Sequence, residues 1–295
     1  MEIEKTVKSD RQMKALTGLS RYEYKQLLIV FEQVYLEMVK TKDRKRKYGG
    51  GRKGSLQNIA GKLFFILFYL KVYPTFDLAG FIFGVDRSRP CQWKKVFLPI
   101  LEKALGRECV LPKRKITSVE EFLRCFPEVK DLFEDGTERP TRRPKNPKNQ
   151  KRQYSGKKKR HTRKNTVWCD ENQRIILISP SKNGILHDKR QHDKNRGYEG
   201  IPPAVHKWVD SGFQGLQKQS ENVHIPKKSS KNNPLTAEEK DENTLISSFR
   251  IVVENAIGGI KRYGCVSHIY RNFNGIDDSF ILVSAALWNF HLKYR

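Results

Sequence analysis

The chain has 295 residues, enough for one large domain or two moderate ones, each with its own core. Its 58 Lys and Arg against 32 Asp and Glu give a net charge of +26, which implies a polyanionic partner held by phosphate neutralisation and counterion release. The longest apolar run, LFFILFYL from Leu63 to Leu70, is eight residues, far short of the ~20 needed to span a bilayer, so no membrane partner is expected.

The N-terminal MEIEKTVKSD carries no apolar signal core. Ser20 and Glu23 form a capping-box pattern, and Tyr24, Leu27, Leu28, Phe31, Val34, Tyr35 and Met38 follow at helical spacing. That predicts an amphipathic helix packed on a core. Lys42 to Gly54 (KDRKRKYGGGRKG), with seven basic residues and four glycines, reads as a flexible cationic linker.

Leu56 to Lys71 predicts a strongly apolar helix, and Pro74-Thr75 opens a short second one, Phe76 to Phe83. Gly84-Val85-Asp86 then turns the chain, and Ser88 is a plausible N-cap for a third helix through Trp93 to Leu105. Two helices joined to a third by a glycine-containing turn make a helix-turn-helix pattern. Arg87, Arg89, Gln92, Lys94 and Lys95 lie near the start of the third helix, the end that meets base edges in the major groove. A three-helix bundle with a polar face would read the same way; the charge of the chain favours DNA binding.

Residues 111–128 form a connector, with a second capping box at Ser118 and Glu121. Val129 to Glu134 predicts a strand that ends at Asp135, ahead of a glycine and a run of arginines and prolines. An Asp before Gly is also a common turn composition. From Arg139 to Lys164 there are thirteen Lys and Arg and no acidic residue, which predicts a cationic arm inserted between two strands. It holds Arg139, Arg142, Arg143, Lys157, Lys158, Lys159, Arg160 and His161, all candidates for phosphate contact. Asn165 to Asp170 and Arg174 to Ser179 pair as a hairpin across Glu171-Asn172-Gln173. A helix over His187 to Asn195, a strand from Val205 to Val209 ending at Asp210, and a short strand at Val223 to Ile225 follow. Glu238 to Tyr263 and Asp278 to Lys293 read as helices. The five cysteines, Cys91, Cys109, Cys125, Cys169 and Cys265, are scattered without a CxxC pair. They predict buried thiols in a reducing compartment, with no zinc site and no disulfide.

The fold class is therefore α+β: an all-α helix-turn-helix region over 1–110, then an RNase H-like α/β domain over 129–295 with a mixed five-stranded sheet and a basic insertion at 139–164. In the RNase H-like fold the first and fourth strands are neighbours, which would bring Asp135 and Asp210 to one edge. Glu254 sits in a long helix, 44 residues after Asp210 and 119 after Asp135. Three convergent carboxylates repel one another unless metal neutralises them, and hard oxygen ligands select Mg²⁺ or Mn²⁺. Two such ions would activate water and stabilise the leaving oxygen of a phosphodiester. Arg250, Glu254 and Lys261 share one helix face, a carboxylate bracketed by two cations that suit phosphate. A solvated face with an i,i+4 ion pair has the same spacing.

The stretches YLKVYPTFDLAGFIFGVDRS, EDGTERPTRRP, QYSGKKKRHTRKN, WVDSGFQGL and RIVVENAIGGIKRYG occur in this order. Together they resemble bacterial insertion-sequence transposases with an Asp-Asp-Glu catalytic domain, a group related to the Harbinger transposases, from about residue 45 to the C-terminus. The resemblance implies that Asp135, Asp210 and Glu254 are the metal-binding catalytic triad. Arg250-x3-Glu254-x6-Lys261 is similar to an extended signature of related transposases, with Ser247 where that signature has Tyr. It further implies an enzyme that binds the terminal inverted repeats of its element and uses Mg²⁺ or Mn²⁺, two ions, for strand cleavage and transfer in cut-and-paste transposition. Its partner would be double-stranded DNA, at element ends and target, with a homodimer or higher oligomer on paired ends. The expected location is the bacterial cytoplasm on nucleoid DNA, or the nucleus in a eukaryotic host. A regulatory or domesticated DNA-binding protein of the same fold and a non-mobile metal-dependent endonuclease are the alternatives.

Overall fold

A computed structural model describes residues 7–40, 55–195, 197–230, 234–272 and 275–295. The cationic stretch Lys42 to Gly54 lies outside the described residues. The chain divides into two compact units, Met1–Leu111 with Lys261–His268 and Ser279–Arg295, and Pro112–Ile260 with Ile269–Asp278.

The first unit is helical: α1 (Asp10–Thr17), α2 (Arg21–Lys40), α3 (Ile59–Val72), α4 (Phe76–Phe83) and α5 (Ser88–Arg107). The first capping box forms as a reciprocal pair: Glu23 N–H donates to Ser20 Oγ at 3.2 Å, and Ser20 N–H donates to Glu23 Oε2 at 2.5 Å. Leu27, Phe31 and Val34 of α2 are buried, as their spacing requires. Helix α3 is apolar on every side and every residue from Leu63 to Leu70 is buried, the mark of a central helix. Its Phe65 ring meets Phe83, Trp93 and Phe97 edge-on, which ties α4 and α5 to it.

Thr75 caps α4 by accepting from Leu78 N–H at 3.2 Å, and Gly84 ends it with φ 62°. A Cβ on Gly80 would lie 2.7 Å from the Val85 carbonyl oxygen, so α4 closes onto the turn only with glycine there. Ser88 is not the cap of α5 but its first residue; Asp86 accepts from Ser88 N–H at 2.9 Å. An aspartate two residues upstream serves as acceptor in this way in Asx turns.

The second unit contains α6 (Val119–Cys125), β1 (Asp131–Pro140), α7 (Pro147–Gln153), β2 (Tyr154–Ser155), β3 (Arg160–Cys169), β4 (Ile175–Ile178) and β5 (Lys182–Asn183). It continues with α8 (Asp188–Lys194), β6 (His206–Val209), β7 (Val223–His224) and α9 (Ala237–Lys261), and the chain ends with α10 (Gly264–Ser267) and α11 (Asp277–Lys293). The sheet order is β2-β3-β1-β6-β7, with β4 and β5 also paired to β3. β1 is antiparallel to β3 and parallel to β6, and β6 is parallel to β7, the mixed sheet of an RNase H-like α/β domain. One face of β1 carries Leu132, packed with Phe122, Phe126, Trp168, Ile176 and Val205. The other carries Phe133, which with Trp208 stacks against Phe249 of α9.

Segments Lys261–His268 and Ser279–Arg295, expected from sequence with the second half, belong to the first unit. Asn289 Nδ2 donates to the Val110 carbonyl at 2.9 Å, and His291 Nδ1 lies 2.6 Å from Glu23 Oε1. The cationic arm over 139–164 is also shorter than expected. β1 runs on to Pro140 and β3 begins at Arg160, with pairing as far as Pro140↔Thr162, so only 141–159 lies between the strands, and it holds α7 and β2. The charge run is compatible with strands because several of its cations are paired inside the unit. Of the five cysteines, Cys169 and Cys265 are buried, whereas Cys109 is exposed. Among the described residues no helix is long and apolar enough to cross a membrane.

Candidate active site and DNA-contacting residues

The parallel pairing of β1 with β6 ends at Glu134↔Val209. Asp135 is the next residue of β1, and Asp210, still extended, is the first residue past β6. Side chains alternate along a strand, so Asp135 lies on the face of Phe133, and Asp210 on the face of Trp208. That is the face α9 covers through Phe249, and the residue after Phe249 is Arg250. Its guanidinium lies 3.6 Å from Asp210 Oδ1 and 3.5 Å from Glu254 Oε1. Each aspartate also accepts from the backbone of the residue after it: Gly136 N–H donates to Asp135 Oδ1 and Ser211 N–H to Asp210 Oδ1, both at 2.6 Å.

Burial pushes the Asp135 carboxyl up to about 6. The Gly136 N–H and Arg250 pull it down, and the negative charges of Asp210 and Asp188 push it up again. Burial thus outweighs the groups that favour the ionised carboxylate, and the donors here are hard oxygens, which suit a divalent cation. Asp135 and Asp210 fit as ligands from adjacent strands. Glu254 does not complete the set here: its side chain is 58% exposed and Arg250 stands between it and Asp210. Among the described residues no three His, Cys, Asp or Glu side chains converge closely enough to hold one ion. Of the three carboxylates expected from sequence to converge, Asp135 and Asp210 end neighbouring strands and Glu254 is held apart by a guanidinium.

Two acidic residues at this site were not anticipated. Asp188, at the start of α8, places its carboxylate where a Cβ on Gly136 would be 2.7 Å away and a Cβ on Gly212 3.3 Å away. It pairs with Lys164 at 3.0 Å, and Lys164 also reaches Glu138 at 3.2 Å. The signal in the sequence was a glycine one or two residues after each aspartate, leaving room for a third side chain. Behind Asp135, on the opposite face of β1, Glu134 is buried against His192, with Nδ1 2.8 and 3.0 Å from its two carboxylate oxygens.

The expected DNA contacts divide. On α5 and the turn before it, Arg87, Arg89, Gln92 and Lys95 are exposed. Lys94 is a correction: it is buried, its Nζ lies 5.4 Å from the Phe76 ring centre, and burial lowers its pKa. One residue from Trp93, it falls on the inward side of the helix. Arg139 is a second correction, at 2% exposure. It donates to the Asp277 carbonyl at 2.6 Å, to Asn165 Oδ1 at 2.8 Å and to Ser181 Oγ at 2.6 Å, and pairs with the Asp277 carboxylate at 3.3 Å. It is an internal tie and not a phosphate contact. Arg142, Arg143, Lys157, Lys158, Lys159 and Arg160 are exposed, and His161 is half-buried, edge-on to Tyr154. Lys261 is exposed at the end of α9, and Arg250 is half-buried between its two carboxylates.

Comparison with known proteins places the chain in a family. A family profile described as "DDE superfamily endonuclease" matches residues 134–289, and one described as "helix-turn-helix of DDE superfamily endonuclease" matches residues 54–107. The probable transposase for insertion sequence element IS702 of Microchaete diplosiphon is 27% identical over 299 residues, covering the whole of both chains. No solved structure matches the chain. Similar along its whole length to an insertion-sequence transposase, the chain belongs to the DDE superfamily of DNA-cleaving endonucleases and carries that superfamily's helix-turn-helix ahead of the endonuclease region.

Proposed function

We propose that the protein binds the terminal inverted repeats of its own element through the helix-turn-helix within residues 1–110 and cuts and rejoins DNA with a catalytic domain built on the second unit. The observation that carries this reading is the adjacency of Asp135 and Asp210 on parallel strands, with Arg250 linking Asp210 to Glu254. Endonucleases of this superfamily generally use divalent metal ions. Asp135 and Asp210 would hold such an ion, Mg²⁺ or Mn²⁺, and Glu254 would join them once Arg250 turns to a DNA phosphate. When bound, the ion supplies Lewis-acid activation of water and of the leaving oxygen.

The chain's own residues then have separable tasks. Asp135 must be ionised to act, which its pKa of about 6 secures at neutral pH. Arg250 and Lys261 clamp the backbone on either side of Glu254. Arg87, Arg89 and Gln92 read base edges. A dimer or higher oligomer would hold two element ends together for transfer to target DNA in the cytoplasm of a bacterial host.

The test is cleavage of a plasmid carrying the element ends by Asp135→Asn, Asp210→Asn and Glu254→Gln. Each should lose strand cleavage while retaining its cooperative unfolding and its binding to end-containing duplex. Wild-type cleavage should stop in chelator, return with Mg²⁺ or Mn²⁺, and be poorly supported by Ca²⁺, whose coordination is larger and looser. Normal cutting by any of the three variants would remove that residue from the triad.

A further inference from the structure

Where β1 ends, Tyr270 N–H donates to the Pro140 carbonyl at 2.8 Å, and Thr141 N–H donates to the His161 carbonyl at 2.9 Å. This lays the strip Thr141 to Lys145 beside Tyr270 to Asn272, both in the second unit. A cavity of about 550 Å³ opens between them, lined by Arg142, Arg143, Lys145, Arg163 and Arg271. Five cations face one lining carboxylate, Asp277, which is buried and already paired with Arg139 at 3.3 Å and Arg163 at 3.2 Å. The strip is braced. Gln150 of α7 accepts from Arg143 at 3.0 Å and donates to the Pro144 carbonyl at 2.8 Å. Arg163 is fixed by Asn183 Oδ1 at 3.0 Å and the Ser181 carbonyl at 3.3 Å.

Guanidinium groups dominate this lining, and their forked donors match the oxygens of a phosphate. The space is of the size that takes a nucleotide-sized group. From Asp135 to Thr141 the chain advances six residues along one strand, or about 20 Å at ~3.3 Å per residue. Duplex DNA rises ~3.4 Å per base pair, so for a duplex running along β1 that distance corresponds to about six base pairs.

We infer that this cavity holds a backbone phosphate of the bound duplex about six base pairs from the scissile bond. It acts as a second anchor that sets the register of cleavage. The inference rests on the proposed cleavage site at Asp135 only for that spacing.

The experiment uses the full-length protein and duplexes in which the cleavage point is fixed and the flank grows from two to fourteen base pairs. Fluorescence anisotropy in Ca²⁺ gives affinity without turnover. For the wild type, affinity should step up as the flank passes about six base pairs. The triple variant Arg142→Ala, Arg143→Ala, Arg271→Ala should lose that step, about tenfold or more. Its log–log salt slope on long duplex should fall by roughly 0.9 for each phosphate it no longer neutralises, while short-duplex affinity stays the same. Lysine at the same three positions should restore the salt slope, since a point charge still neutralises a phosphate, and only part of the step, since the fork is lost.

A triple variant that keeps the step, or that loses short and long duplexes equally, would overturn the inference. So would lysine variants whose salt slope stays as low as that of the alanine ones, which would signal a structural role. Inorganic phosphate should not compete at millimolar concentration; if it displaced long duplex as well as a second duplex does, the cavity would be a small-anion site. A step at another flank length that the triple variant still abolishes would keep the anchor and move the cleavage point instead.

Discussion

Neutralising Asp135 should stabilise the metal-free protein, because the folded chain strains to keep that group charged. Its carboxyl is raised from 3.8 to about 6 by burial, with Asp210 and Asp188 adding to the effect. A carboxyl raised in the folded state favours folding below its unfolded value and loses that advantage as pH climbs through the folded one. Above pH 7 the wild type therefore carries the whole cost of ionisation, about 3 kcal/mol at ~1.36 kcal/mol per pH unit. Solvent at this half-buried site reduces the figure to about 2 kcal/mol. Asp135→Asn keeps the shape and the acceptor for Gly136 N–H, so the cost disappears with little else changed.

In chelator at pH 8 the variant should melt roughly 4–8 °C above the wild type, at ~2–4 °C per kcal/mol for a unit of this size. At pH 4 the difference should shrink to a small fraction of that, since the wild-type carboxyl is then protonated when folded. Calorimetry of both proteins at both pH values checks this, and adding Mg²⁺ should stabilise only the wild type. A variant no more stable at pH 8, or equally favoured at pH 4, would show that Asp135 is not held charged against its surroundings.

Arg139→Ala should destabilise the second unit by about 3 kcal/mol in urea unfolding, because it strips a partner from a buried carboxylate, Asp277. Replacing Lys157, Lys158 and Lys159 together with Ala should weaken binding to all duplexes alike and lower the log–log salt slope by up to about 0.9 for each phosphate left without its lysine. Replacing Arg89 and Gln92 with Ala should instead bring terminal-repeat binding toward the non-specific level, since a good base contact discriminates by roughly 1–3 kcal/mol. If that helix variant lost specific and scrambled duplex equally, α5 would not be the reading element.

Local signals carried much of the fold because local chemistry decides those elements. Thr75 and Gly84 bound α4 at both ends, and the all-apolar Leu63 to Leu70 could only be central. The strands of the sheet were legible where apolar residues mark them. The far half of β1 was not, since Thr137 to Pro140 read as loop chemistry and is held as strand by pairing to β3. Charge by itself misled at Lys94 and Arg139. Residue type gives no sign of burial when the partner, a Phe76 ring or Asp277, lies far away or around a helix. Asp188 was hidden for a similar reason: it reaches Gly136 and Gly212 through the tertiary fold alone. Arg250 and Glu254 were legible as a helix-face pair, but the pairing of Arg250 with Asp210 depends on how α9 lies over the sheet.

The ladder between β1 and β6 also separates what can change length from what cannot. Glu134 and Asp135 are neighbours facing opposite ways, one buried against His192 and the other on the α9 face. Slipping β1 by one residue would turn a different side chain toward α9, since the side-chain period is two. A single-residue insertion between Val129 and Asp135 would therefore silence the site even if the protein stayed folded. The stretch from 141 to 159 is tied differently. It joins β1 to β3 beyond their last pair, Pro140↔Thr162, and returns through β2, which pairs with β3, so a change of length there would move the cationic strip Thr141 to Lys145, and with it the grip on DNA, without moving the aspartates.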